Sequence, residues 1–207
     1  MSSSGYFLKE SDLRPLSLGA ALLGTGGGGN PYIGMLRARE LIRSGHEIRV
    51  IDLHTLPDDA FVGEVGGIGA PVVGIEKFEE GRECYHAMRA VEEATGVRMS
   101  ALISAEIGGS NSLEPIIAAA YAGLPVIDGD GMGRAFPEVQ MTTFFIHGQA
   151  VQPAALADAD GNVLIVTEAT TPKMLEKLLR ASTIAMGCTA LMTRPLPTSR
   201  AICSVKR

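Results

Sequence analysis

The spacing of apolar residues changes along this chain from helical to extended and back. Leu13, Leu16, Ala20 and Leu23 recur at helical intervals, which places them on one face of a helix. Ser11 precedes most of that face and is a suitable N-cap. Similar spacing, with capping residues near the ends, predicts further helices over 31–43, 77–95, 112–122 and 172–186.

Short apolar runs bounded by glycine, proline or acidic residues predict strands between these helices. The runs cover residues 47–53, 61–70, 99–105, 125–127 and 142–148. Residues 156–166 contain Asp160-Gly161 between two apolar segments, and this pattern predicts a β-hairpin. The last stretch, 194–207, has no clear periodicity and is interpreted as a tail.

The order of the segments predicts an α/β fold with a mostly parallel, Rossmann-like layered sheet. Helices would cover both faces of the sheet, and the hairpin would lie near the C-terminus. Strands 99–105 and 125–127 each end at an acid that is followed by a glycine turn. Carboxyl ends of parallel strands lie at one edge of a sheet, where such folds bind ligands. Four polar residues are therefore expected to converge there: Glu106, Asn111, Asp128 and Asp130.

Composition narrows the class of protein further. The 207 residues suit one α/β domain, predicted over 1–195, with a tail over 196–207. A net charge of −5 without a basic stretch argues against nucleic acid as a partner. The three cysteines are scattered and form neither a metal motif nor a disulfide framework, which fits a reducing, cytoplasmic setting. The N-terminus has no signal-peptide pattern and no apolar run is long enough to cross a membrane.

The candidate chemistry is concentrated in residues 125–141, PVIDGDGMGRAFPEVQM. Asp128 and Asp130 alternate with glycines directly after an apolar strand, and Arg134 and Glu138 follow. Glycine permits tight turns, so this stretch is interpreted as a bare loop that carries carboxylates to the sheet edge. The alternative is an ordinary surface turn with solvated acids.

Convergent carboxylates have two usual functions, which are to bind a divalent cation and to transfer protons. Asp128, Asp130 and His147, with Glu106 nearby, would form the ligand set of a metal such as zinc. Without a metal, crowding would raise one carboxyl pKa and create a general acid or base. Arg134 could hold a substrate carboxylate through two hydrogen bonds. No nucleophile motif is present, so attack by water is favoured over a covalent intermediate.

A second candidate region is the glycine tract at 24–31, GTGGGGNP. Its glycines at 24, 26 and 29 match the dinucleotide fingerprint, and Asp52 follows 23 residues after Gly29. The fingerprint must follow a strand, whereas residues 13–23 are predicted to be helical, so a nucleotide cofactor is not favoured. Asn30 is a good N-cap for the next helix, and backbone N–H groups around Gly27 and Gly28 could bind an anion. A flexible connector is the alternative.

Three segments together resemble one protein family: 19–32 (GAALLGTGGGGNPY), 106–141 (EIGGSNSLEPIIAAAYAGLPVIDGDGMGRAFPEVQM) and 155–163 (ALADADGNV). This is the S-methyl-thiohydantoin desulfurase family, once known only as a domain of unknown function beside hydantoinase/oxoprolinase genes. The resemblance covers the family's N-terminal domain and runs from about residue 10 to 195.

The resemblance implies a hydrolase of a sulfur-bearing, hydantoin-like ring. Water would attack the ring carbon that carries sulfur, and a thiol would leave. Asp128 or Asp130 would act as base or metal ligand, with Glu106 and Glu138 as catalytic partners. Asn111 or the amides of the glycine tract would stabilise the developing negative charge.

Family members usually continue into a β-rich domain that is absent here, so the chain is expected to be an incomplete enzyme that forms a homo-oligomer. Two other functions stay open: a non-catalytic accessory domain that binds a hydantoinase/oxoprolinase-type partner, and a nucleotide-binding domain that uses residues 24–30.

Overall fold

The computed structural model describes residues 5–149 and 152–196, which form one mixed sheet with helices around it. The strands are β1 Tyr6–Phe7, β2 Arg49–Ile51, β3 Val62–Gly69, β4 Ala101–Ser104, β5 Val126–Asp130, β6 Ala154–Ala157, β7 Val163–Val166 and β8 Thr189–Leu196. The α-helices are α1 Glu10–Gly24, α2 Pro31–Arg43, α3 Val73–Glu76, α4 Glu83–Thr95, α5 Glu114–Ala122, α6 Thr143–Ile146 and α7 Pro172–Ala185. Short 3₁₀ turns lie at Leu53–Thr55, Gly109–Ser112 and Val139–Met141.

The α/β class is confirmed, but the prediction of a mostly parallel sheet is wrong. The strand order is β1-β2-β5-β4-β3-β8-β6-β7. The pairings β2–β5, β5–β4 and β4–β3 are parallel, and the other four are antiparallel. Strand β8 causes the difference, because it lies antiparallel between β3 and β6.

No strand was predicted at β8 because its two faces are both covered. Every residue from 190 to 196 is buried. A strand that is buried on both faces shows no alternation of apolar and polar residues. Arg194 also interrupts the apolar run, and the prediction therefore treated it as the start of a tail. The predicted boundary at 195/196 falls one residue before the end of β8, and residues 197–207 lie outside the described part of the chain.

Successive residues of the central strands alternate between two cores. Val126 of β5 lies in the core beneath α1, α2, α4 and α5, whereas its neighbour Ile127 lies in the opposite core beneath α6 and α7. Strand β6 repeats the alternation, with Ala155 in the first core and Leu156 in the second. Helices therefore cover both faces of the sheet.

Several helix ends follow from local sequence. Asn30 caps α2, since its side-chain oxygen accepts the N–H of Tyr32 at 3.0 Å, and Pro31 occupies the first helical position. Gly123 ends α5 in the left-handed conformation. The helix predicted over 77–95 begins later, at Glu83, and the first helix begins at Glu10, with Lys9 as its N-cap rather than Ser11.

The strand predicted over 142–148 is wrong, because this segment forms the short helix α6. The Thr143 N–H donates to the carbonyl oxygen of Gly131 at 2.8 Å. The Phe144 ring packs against Gly131 so closely that a Cβ there would lie 2.7 Å from the ring. Tertiary packing of Phe144 thus overrides the strand preference of its β-branched and aromatic neighbours.

Candidate functional site

A cavity of about 810 Å³ opens at the carboxyl ends of β3 and β4. Its walls come from the glycine tract 24–30, the end of β3 at 67–69, the turn after β4 and the segment 134–139. The place agrees with the general position of ligand sites in α/β sheets. Seven of the predicted site residues line this cavity: Gly27, Gly28, Asn30, Glu106, Asn111, Arg134 and Glu138.

Glu106 follows β4 and is held in one orientation by two hydrogen bonds. Its side chain is buried, with 5% of the residue exposed. One carboxyl oxygen accepts the Phe136 N–H at 2.6 Å, and the other accepts the side-chain amide of Asn111. The Asn111 oxygen accepts the Gly67 N–H at 2.5 Å. Asn111 therefore positions Glu106 by linking it to the end of β3.

The pKa of Glu106 is raised from 4.5 to about 7, mainly by burial and also by the negative charge of Asp130. The hydrogen bonds from Phe136 and Asn111 oppose this increase, because they stabilise the carboxylate. A carboxyl group with a pKa near neutrality can accept and donate a proton at similar cost. Of the predicted acids, Glu106 is thus the one whose surroundings suit acid–base catalysis.

The glycine tract packs directly against the turn that carries Glu106. A Cβ at Gly28 would lie 2.4 Å from the Gly108 carbonyl oxygen and 3.2 Å from Oε1 of Glu106. Gly28 also has a φ of +73°, which disfavours other residues. The Gly28 carbonyl accepts the Ser110 N–H at 2.7 Å. This contact explains the bare tract, and α1 precedes it where the dinucleotide fingerprint requires a strand.

Asp130 stabilises the loop structure instead of lining the cavity. It is the last residue of β5, and its Oδ2 accepts three N–H groups, from Gly133 at 2.6 Å, Ile107 at 2.9 Å and Met132 at 3.3 Å. Asp128 lies two residues earlier on the same strand and is exposed. Neither aspartate is among the residues that line the cavity.

We expect Asp130→Ala to lower the free energy of unfolding by about 1–3 kcal/mol, because three N–H groups lose their acceptor. Asp128→Ala is the matched control, since Asp128 is an exposed acid on the same strand, and its effect should stay within about 0.5 kcal/mol. Urea unfolding of both variants measures the difference. Equal stability of the two variants would contradict the role of Asp130 as a loop cap.

The predicted metal ligands do not form a coordination site. His147 follows α6, is exposed and does not line the cavity. The Oδ2 atom of Asp130 is already occupied by backbone donors. Within residues 5–149 and 152–196, no group of three or more His, Cys, Asp or Glu side chains is arranged to hold a metal ion. A divalent metal at Asp128, Asp130 and His147 stays a prediction that the described arrangement does not support.

Arg134 and Glu138 lie on a segment that lines the cavity and that contacts the glycine tract at Ala135. Arg134 is exposed, and one of its terminal nitrogens donates to the Thr25 hydroxyl at 3.3 Å. The Glu138 carboxylate accepts the side-chain amide of Gln140. Both residues line the cavity, where a polar group of a bound ligand could reach them.

Glu114 is a buried acid of the cavity wall that was not among the predicted site residues. It lies in the first turn of α5 and lines the cavity, although only 2% of it is exposed. The sequence of α5, EPIIAAAYA, could have indicated this burial, because the helix is apolar almost all round. Such a helix is buried on every side, so an acid in its first turn is buried with it.

A family comparison covers most of the chain. The model of the S-Me-THD-like N-terminal domain matches residues 11–168. The chain belongs to this family. The match includes both the glycine tract and the segment from Glu106 to Met141, which form most of the cavity wall.

A solved structure extends the likeness to nearly the whole chain. The X-ray crystal structure of a protein from Chromobacterium violaceum superimposes with a TM-score of 0.75 at 24% sequence identity. The alignment covers 97% of the present chain and 60% of the Chromobacterium chain. The present chain therefore spans less than two thirds of that protein. At this identity the likeness concerns the fold alone. No curated protein matches the chain. None of the described helices is long and apolar enough to cross a bilayer.

Proposed function

We propose that this domain hydrolyses a sulfur-bearing, hydantoin-like ring and releases a thiol. The observation that carries the proposal is the Glu106 carboxyl group, which lines a cavity of about 810 Å³ and has a pKa of about 7. Membership of the S-Me-THD-like family supports the substrate class.

The proposed reaction uses water as the nucleophile. In its ionised form, Glu106 accepts a proton from water as the oxygen attacks the ring carbon that bears sulfur. The carbon–sulfur bond then breaks, and the proton held by Glu106 passes to the departing sulfur, which leaves as a thiol. The hydroxyl proton is transferred to the ring nitrogen, so the carbon becomes a carbonyl group. Glu106 returns to its ionised state.

The glycine tract supplies candidate donors for the negative charge that develops in this reaction. The Gly27 N–H donates to the Gly24 carbonyl at 2.8 Å and is therefore occupied. Gly28 and Gly29 also line the cavity, at the start of α2. Their N–H groups are proposed to stabilise the developing charge, whereas Asn111 is committed to positioning Glu106.

The test is thiol release from an S-methyl-thiohydantoin by the purified chain, with the reaction run in ¹⁸O-labelled water. We expect one labelled oxygen in the hydantoin product for each thiol released. Because the base form of Glu106 increases with pH, kcat/KM should rise through a pH of about 7 and then reach a plateau. Thiol release without ¹⁸O in the ring, or no release from a folded sample, would contradict the proposal.

The homo-oligomer and the hydantoinase/oxoprolinase-type partner stay predictions. The alternative of a non-catalytic accessory domain would be favoured by the second negative outcome, namely a folded chain that releases no thiol.

A further inference from the structure

Glu114 differs from every other buried acid in the described residues. Glu64, Glu83, Glu92, Glu106, Asp158 and Glu176 each accept at least one hydrogen bond from the protein. The Glu114 carboxyl group accepts no hydrogen bond from the described residues, although only 2% of the residue is exposed. Buried polar groups in proteins almost always have partners, and an exception requires an explanation.

The cation that acts electrostatically on Glu114 forms hydrogen bonds with a different acid. Arg37 is close enough to affect Glu114 electrostatically, but one terminal nitrogen binds the Glu79 carboxylate and the other donates to the Glu79 carbonyl at 2.5 Å. Burial and the charges of Glu79 and Glu83 raise the pKa of Glu114 well above its usual range, against the effect of Arg37. Burial therefore favours the neutral form of the Glu114 carboxyl group.

A neutral carboxyl group offers one O–H donor and one C=O acceptor side by side. Its geometric complement is an amide whose N–H and C=O point in the same direction, as they do in a cis amide. Open peptide chains hold these groups on opposite sides, because their amides are trans. A five-membered lactam or hydantoin ring is forced into the cis arrangement. The two groups can then form a pair of parallel hydrogen bonds.

We propose that Glu114 is a specificity-determining residue that binds the cis-amide edge of a five-membered ring in the cavity. The inference rests on the proposed function and names the ring edge that the site recognises. Glu114 and Glu106 lie on the two sides of the Gly109–Ser112 turn, and both line the cavity. Glu114 would hold the ring by its amide edge while Glu106 acts at the carbon that carries sulfur.

Two substitutions separate this role from others. Glu114→Gln keeps one N–H donor and one C=O acceptor at the same position, so it preserves the pairing. Glu114→Met has a similar length and offers neither. The probes are hydantoin and 1,3-dimethylhydantoin, which lacks the N–H groups, and their binding is measured by isothermal titration calorimetry. Neither probe carries sulfur, so the measurement does not depend on turnover.

We expect the unsubstituted protein and Glu114→Gln to bind hydantoin with dissociation constants within about threefold of each other. Glu114→Met should bind it on the order of tenfold to a hundredfold more weakly, because two hydrogen bonds are lost. Dimethylhydantoin should bind weakly to all three proteins. Thermal unfolding monitors the fold, and Glu114→Met should melt no lower than the unsubstituted protein, since it removes an unpaired buried carboxyl group.

Equal hydantoin affinity in Glu114→Met and the unsubstituted protein would overturn the inference, as would the absence of hydantoin binding. Weak binding by Glu114→Gln would also overturn it, because an anionic role cannot be replaced by an amide. If Glu114→Met does not fold, the affinities of Glu114→Gln and the unsubstituted protein for hydantoin and dimethylhydantoin still test the inference. Hydantoin binding that depends on Glu114, without thiol release from the methylated substrate, would reject the reaction and keep the recognition role.

Discussion

Replacement of Glu106 by glutamine is expected to reduce kcat/KM for thiol release by about 10²–10⁴-fold. Glutamine preserves the size of the side chain but cannot accept the proton of the attacking water. It also has a single oxygen, whereas Glu106 accepts hydrogen bonds from both Phe136 and Asn111. Steady-state kinetics at several pH values measures the loss, and the rise in rate near pH 7 should disappear with it.

Asp158→Asn is the matched control for this experiment. Asp158 is buried to the same extent as Glu106, with 5% exposed, and it also accepts backbone N–H groups. It does not line the cavity, so its replacement should leave kcat/KM within about threefold. A Glu106→Gln protein that folds and keeps kcat/KM near that of the control would show that Glu106 is not the base.

Arg194→Met is expected to lower the free energy of unfolding by about 3–5 kcal/mol. Arg194 pairs with Glu64 across β8 and β3, and both side chains are 0% exposed. Loss of the guanidinium would leave a carboxylate in the core with no counter-charge. Urea unfolding at pH 8 measures the loss, which should be smaller at pH 5. The folded-state pKa of Glu64 is raised by burial, so its contribution to stability is largest at low pH and falls as the pH rises.

The double variant Glu64→Leu, Arg194→Met should recover most of this stability. Replacement of both charges by apolar side chains of similar size removes the desolvation cost together with the attraction. A single variant as stable as the unsubstituted protein, or a double variant as unstable as the single one, would show that the pair does not contribute in this way.

The buried pair also connects the core with the cavity. Arg194 donates to the Val139 carbonyl oxygen at 3.2 Å, and its guanidinium lies 5.0 Å from the centre of the Phe145 ring. Val139 ends the segment 134–139, which lines the cavity. Arg194→Met is therefore expected to disturb this wall as well as the sheet.

Local sequence predicted most of the helices, because their signals come from residues close together in the chain. Asn30 and Pro31 begin α2 through contacts within one turn, and Gly123 ends α5 through its own backbone freedom. The hairpin around Asp160-Gly161 was predicted for the same reason. The position of Glu106 after β4 also followed from the pattern of a buried strand that ends at an acid.

Tertiary structure decided the rest, because the deciding partners are distant in sequence. The charge of Arg194 is compatible with β8 only because Glu64 lies opposite it, 130 positions away. By sequence, Asp130 could be a catalytic acid or a solvated acid of a surface turn, whereas in the fold its carboxylate accepts the N–H groups of Ile107 and Gly133.

Partners distant in sequence also decide how the carboxyl groups of Glu106 and Glu114 differ in hydrogen bonding. Glu106 accepts hydrogen bonds from Phe136 and Asn111. The local sequence does not predict either hydrogen bond. Glu114 accepts no hydrogen bond from the described residues, and the hydrogen bonds of Arg37 go to Glu79. The sequence by itself thus determined most of the helices, the hairpin, the family resemblance and the place of Glu106 after a buried strand. Folding determined which acids are buried, which are paired, and which one remains available to a ligand.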